Sequence, residues 1–182
     1  MFEKIKRRSL KKVTERYLSE RDRSMVNAPL RTIGFIVDEM LFTDFDFLYD
    51  MYKELNIVPK DVKVFTFIEV RKRIPSLRQN QVQCKDFNWK GEMHNQNATE
   101  FLDRDFDVLV GYYEGKHEFL DAMVSQSRAK FKVGFSEADD RLYDLIISVK
   151  PTDKELFKKE LVKYLTILNK IQPTLKPVGS NE

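Results

Sequence analysis

Short apolar runs alternate along this chain with longer stretches in which apolar positions recur every three or four residues. That is the pattern of buried strands interleaved with amphipathic helices. Five runs read as strands: Arg31–Asp38 (RTIGFIVD), Asp61–Val70 (DVKVFTFIEV), Phe106–Tyr112 (FDVLVGY), Lys130–Phe135 (KFKVGF) and Tyr143–Val149 (YDLIISV). Between and after them the spacing predicts helices. Thr43 is placed to cap one over Asp44–Leu55, with Leu48, Met51, Tyr52 and Leu55 as its apolar stripe and Asp44 and Asp46 at its positive end. Asn97 is placed to cap a short helix through Asp103, with Glu100 set for the reciprocal bond. Lys116–Ser127 carries Phe119, Leu120, Met123 and Val124 on one side. Thr152-x-x-Glu155 reads as a capping box opening a helix to about Lys170, with Phe157, Leu161, Tyr164, Leu165 and Leu168 inward.

Strands that alternate with helices imply βαβ units. With right-handed crossovers the fold class is α/β: a single open, mostly parallel sheet of about five strands, helices on both faces, flavodoxin-like or Rossmann-like. Residues 71–96 break the rhythm. They hold Pro75, a polar Gln79-Asn80-Gln81, then Cys84 to Trp89 and Gly91, and read as an irregular connection with one short edge strand around Phe87–Trp89. The chain divides into a leading helix and linker (1–29), the α/β domain (30–171) and a flexible tail (172–182) marked by Pro173, Pro177, Gly179 and Ser180.

Charge changes the reading of the leading helix, residues 2–20. At about 100° per residue, Phe2, Ile5, Leu10, Val13 and Tyr17 gather on one side, and Lys4, Arg7, Arg8, Lys11 and Lys12 on the other. Lys6 and Arg16 fall in the apolar arc, and Glu15 and Leu18 among the cations. The 182 residues carry a net charge of only +3. Residues 1–30 hold nine Lys/Arg against four Asp/Glu, a net +5, so the remainder is near −2: a basic arm on a mildly acidic body. This helix has three readings. It lies against its own domain, with its cations in water. It binds the phosphates of RNA or a ribonucleoprotein. Or it rests on an anionic membrane surface.

Composition adds bounds. Hydrophobic residues make up 42% of the chain, enough for a core. One cysteine, Cys84, allows no internal disulfide and no cysteine-based zinc site, which points to a reducing, cytoplasmic compartment. No apolar run is long enough for a transmembrane segment.

No motif fixes a chemistry. The six glycines form neither GxGxxG nor GxxxxGK[ST], so a dinucleotide cradle and a P-loop are both missing. His94 and His117 are the only histidines and lack helical ligand spacing, so no metal and no cofactor is expected, nor any catalytic residue. Open parallel sheets bind ligands outside the carboxyl ends of their strands. Those ends carry Asp38 and Glu39, Glu69, and Tyr112, Tyr113 and Glu114, a possible edge for a sugar, nucleotide or phosphate. The carboxylates there suit a hard cation such as magnesium, or they are merely solvated strand ends. The two tyrosines between Gly111 and Gly115 stack on a base or sugar, or they pack in the core.

The runs RTIGFIVDE, DVKVFTF, FDVLVGYYEGKHEFLDAMVSQSRAKFKVGFSEADDRLYDLIISV and KKELVKYLTILNKI, in that order, resemble an uncharacterised protein family of the Bacteroidota, a domain of unknown function. The resemblance covers nearly the whole chain and implies a lineage but no activity or site residues. Separately, Phe106–Phe135 is similar to part of the N-terminal half of heptosyltransferase-type glycosyltransferases. Their nucleotide-sugar site belongs mostly to a second half for which this chain has no room, which implies the fold and argues against an independent transferase. The expectation is therefore a non-catalytic binding module that docks through its basic helix on an anionic macromolecule, RNA first. The alternatives are a small-ligand protein or enzyme using the sheet edge, and a peripheral membrane subunit.

Overall fold

Six parallel strands form one sheet in the computed structural model, which describes residues 1–70, 72, 75 and 78–171. They are β1 (Ile33–Asp38), β2 (Val62–Ile68), β3 (Gln81–Gln83), β4 (Val108–Tyr112), β5 (Phe131–Phe135) and β6 (Leu145–Ile147). Their order across the sheet is β3-β2-β1-β4-β5-β6, so connections run outward in both directions from the middle, and the switch of direction falls between β1 and β4. Ile33 stands level with Val62 on one side and Val108 on the other.

The central strands are apolar on both faces because both are covered. Ile33, Phe35 and Val37 point into one core, while Ile36 points into the other. On β4, Val108, Val110 and Tyr112 join the first core and Leu109 the second, followed there by Tyr113 just past the strand. The first is covered by α2 (Phe45–Tyr49), α3 (Tyr52–Leu55) and α6 (Lys154–Ile167). The second is covered by α4 (Gln96–Leu102), α5 (Glu118–Gln126) and α1 (Phe2–Glu20), which packs against α5. The leading helix is thus part of a layer, and Leu10 is wholly buried.

Several local expectations shift by a residue or two. The cap of α2 is Asp44, accepting from the Phe47 amide, rather than Thr43. Asn95 rather than Asn97 caps α4. Asp153 caps α6 through the Leu156 amide, in place of the Thr152/Glu155 box. A carboxylate at a helix N-terminus gains from the helix dipole as well as the bond, which favours Asp over the nearby Thr. The predicted 44–55 helix is two short ones, because the Met51 amide bonds back three residues, to Leu48, and tightens the turn.

The sixth strand is β3. It pairs with β2 through Thr66↔Gln81, Phe67↔Val82 and Ile68↔Gln83, and only Val82 is apolar, so no periodicity marks it. The expected edge strand at Phe87–Trp89 is instead a single antiparallel bridge, Phe87 to Met93, after one 3₁₀ turn at Cys84–Asp86. Part of the 71–96 connection (71, 73, 74, 76 and 77) and the 172–182 tail lie outside the described residues.

Two glycines shape the second core. A Cβ at Gly134 would lie 2.7 Å from the Tyr143 ring, and one at Gly111 would collide with the Tyr143 hydroxyl. Their absence lets Tyr143 lie against β4 and β5. Its hydroxyl donates to Tyr113 at 2.6 Å, and Tyr113 donates to Asp121 at 2.6 Å.

Candidate binding surfaces on the leading helix and the carboxyl edge

One turn of α1 separates two kinds of cation. Leu10, Val13 and Thr14 are buried, and Tyr17 packs beside them. Arg7 precedes Leu10 by three residues and so shares that inward stripe. Its guanidinium pairs with Glu69 and, at 3.0 Å, with Glu118, and it lies 5.3 Å from the Phe119 ring centre. Burial opposes the Arg7 charge, and the Glu69 and Glu118 carboxylates outweigh that opposition and raise its pKa. Lys11 stands at the border, 4.0 Å from Glu118. Lys6, read as a cation in the apolar arc, reaches inward and donates to the Cys84 carbonyl at 3.0 Å.

Lys4, Arg8 and Lys12 form the outer flank. All three are exposed and have no ion pair among the described residues. They follow one another every four residues, about 6 Å apart along the axis. Met1 and Phe2 (78% exposed) and Ile5 (40%) lie beside this row rather than on the domain. The predicted apolar side is therefore only half used. The helix docks through its middle, from Leu10 on, and its first turn stands clear of the core.

At the carboxyl edge the predicted ligand residues divide. Asp38 is half-buried near His117 and Glu69; burial pushes its carboxyl up, and the Met40 amide and His117 pull it back. Glu39 pairs with Arg78 and accepts from Gln81 at 2.9 Å. Glu69 holds Arg7 and faces His117 Nε2 at 3.4 Å. Tyr112 and Tyr113 are 0% and 1% exposed, so both rings are core. Successive strand residues point to opposite faces. Tyr112 accordingly donates to the Pro151 carbonyl on one side, and Tyr113 to Asp121 on the other. Burial pushes both hydroxyls above their ordinary range. Glu114 is exposed and takes no part.

Sequence reasoning missed the centre of this cluster. His117 caps α5: its Nδ1 accepts from the Leu120 amide at 3.4 Å, so a neutral ring carries its proton on Nε2, toward Glu69. Glu118 follows as the second acid on Arg7. The available signal was the spacing of Arg7 three residues before Leu10 and seven before Thr14. Two clefts flank the Arg7–Glu118 contact. The larger, about 790 Å³, lies between the first turns of α1 and the ends of β2 and β3. The smaller, about 280 Å³, lies under Lys11 beside His117, Asp121 and Arg141.

The cleft wall includes Cys84, whose thiol is pushed up by burial and then by Glu69 and Glu3, so it is not an activated nucleophile. Among the described residues no group of three or more His, Cys, Asp or Glu is placed to hold a metal ion. Nor is any helix long and apolar enough to cross a membrane.

A family model described as "Family of unknown function (DUF6913)" matches residues 6–168. The chain belongs to this family. The extent shared with the DUF6913 model takes in the sheet, the carboxyl edge and α1 from Lys6 onward, so the docked part of the helix lies within it. No curated protein and no solved structure matches the chain.

Proposed function

We propose that this chain is a non-catalytic binding module of the cytoplasm that docks on RNA through the outer row of α1. One observation carries the reading: Lys4, Arg8 and Lys12 stand exposed without an acidic partner among the described residues, while the cation beside them, Arg7, has two. An unpaired row on a rigid helix can neutralise phosphates and release their counterions without first breaking internal pairs. Lys11 adds a fourth charge at the border of the row. The reading of the family as one of the Bacteroidota, and the similarity of Phe106–Phe135 to heptosyltransferase-type glycosyltransferases, add a lineage and a fold likeness.

The test is RNA affinity as a function of salt for the wild type and a Lys4→Gln/Arg8→Gln/Lys12→Gln variant. Removing three phosphate contacts flattens the slope of log K against log salt by about 2–3. An unchanged slope, or no binding at low salt, overturns the reading. Removing the whole helix is the poorer experiment, because it strips Leu10 and Val13 from the core.

A second reading has its own observation. Met1, Phe2 and Ile5 are exposed next to Lys4 and Arg8, the mixture of apolar and cationic groups that suits an anionic bilayer surface. Flotation with vesicles containing anionic lipid, lost on Phe2→Ser, favours it over RNA.

A further inference from the structure

The larger cleft has the setting and lining of a small-molecule site. It opens at the carboxyl ends of parallel strands, where sheets of this winding bind ligands. Its volume of about 790 Å³ falls within the range of small-molecule pockets. Three ammonium groups line it, Lys6 from α1, Lys72 after β2 and Lys85 after β3. Among the described lining residues two are carboxylates, and Glu69 is already engaged by Arg7 and lies near His117, while Glu3 is not drawn into the Arg7 cluster. Among the described lining residues the basic side chains outnumber the acidic ones. Lys6 spends one donor on the Cys84 carbonyl and keeps two.

The same cleft also has aromatic lining. Phe87 is buried in the wall, whereas Trp89 is 57% exposed, with Lys90 Nζ 5.4 Å from its ring centre. The loop carrying Trp89 is fixed against α1 by Gly91, at φ 78°, where a Cβ would come within 3.0 Å of the Leu10 amide. Only glycine allows that approach, so α1 and the tryptophan loop are held as facing walls. A flat ring and a cluster of ammonium groups lining one cleft match a ligand that is both aromatic and anionic.

We propose that this cleft binds a nucleoside phosphate, with its base on Trp89 and its phosphate among Lys6, Lys72 and Lys85. The phosphate is held by side chains, in keeping with the lack of a glycine-rich loop in the sequence. The site is separate from the outer row of α1, because Lys4, Arg8 and Lys12 do not line it.

The chain carries its own reporters, since Trp89 is its only tryptophan and Cys84 its only cysteine, and both line the cleft. The experiment titrates the full chain with adenosine diphosphate, adenosine and inorganic phosphate, following Trp89 emission and the rate of Cys84 alkylation. Adenosine diphosphate is expected to quench the emission and slow alkylation several-fold, with adenosine or phosphate alone weaker in both. Lys6→Gln/Lys85→Gln, checked for an unchanged melting temperature, is expected to raise the dissociation constant about tenfold or more. Lys4→Gln/Arg8→Gln/Lys12→Gln is expected to leave it unchanged, so loss of RNA binding and loss of nucleotide binding are told apart. No change in either reporter up to about 1 mM nucleotide overturns the proposal. Protection of Cys84 by phosphate alone, without any change at Trp89, overturns the nucleoside assignment.

Discussion

Arg7 and Arg8 are neighbours in sequence, both on α1, and they meet opposite fates. Arg7 lies along the docked stripe, between Glu69 at the end of β2 and Glu118 at the start of α5. Arg8, with Lys4 and Lys12, faces solvent and has no acid within reach among the described residues. The difference is about 100° of rotation on the helix. Counting charges on a segment therefore overstates the charge available to a partner. Arg7 helps hold the helix to the domain, and the outer row is what remains exposed.

That contrast can be broken most severely from the core side. Leu10→Ala empties the position that seats α1, and with Leu10 wholly buried it should cost about 2–5 kcal/mol of stability in chemical denaturation.

Lys132 extends the comparison to a cation inside the protein. It is 1% exposed, with Nζ donating to the Val124 carbonyl at 2.6 Å near the end of α5. Burial, then the nearby Arg21, pull its pKa down from 10.5 to about 7, with Asp144 opposing them. Between those two values the unfolded chain holds a proton that the folded chain lacks, so stability rises with pH. A gain of about 3 kcal/mol is expected between pH 7 and about 9.5, and Lys132→Met should flatten it. Above pH 10 the trend should reverse. Burial raises Tyr112, Tyr113 and Tyr143 above their ordinary value of 10.0, so there the folded state keeps protons that the unfolded state loses.

Arg7→Gln leaves Glu69 and Glu118 without their shared partner. Because the group is a third exposed, the loss should be only about 1 kcal/mol by denaturation midpoint. Smallest of all, the triple glutamine variant of Lys4, Arg8 and Lys12 should change stability by less than about 0.5 kcal/mol, although it carries the RNA prediction. If the triple variant were as destabilised as Arg7→Gln, the two flanks would not differ in the way proposed.

The fold was largely readable. RTIGFIVD and FDVLVGY are apolar without alternation, which marks strands covered on both faces, and the amphipathic stretches between them indicate crossovers. The third strand, Gln81–Gln83, was not readable because it is three residues long and is held by its pairing with Thr66 to Ile68 rather than by apolar spacing. The candidate sites were less legible. The sequence places Asp38, Glu69 and Tyr113 at strand ends, but pleating alone does not say that Asp121 and Tyr143 take up the Tyr113 hydroxyl. His117 gave no sign of facing Glu69, because it lies 48 positions away along the chain and comes close only when β2 and β4 flank β1.

Local spacing along the chain determined the elements themselves, since a strand or a helix is set by the period of apolar residues within about ten positions. It also determined that a charged, helical segment leads the chain. Only the tertiary structure decided which flank of that helix is neutralised, which tyrosines are sealed in the core, and that Trp89 and Lys6 face one cleft. Those outcomes depend on contacts between residues dozens of positions apart. Such contacts follow from strand order and helix docking, and no local period encodes them.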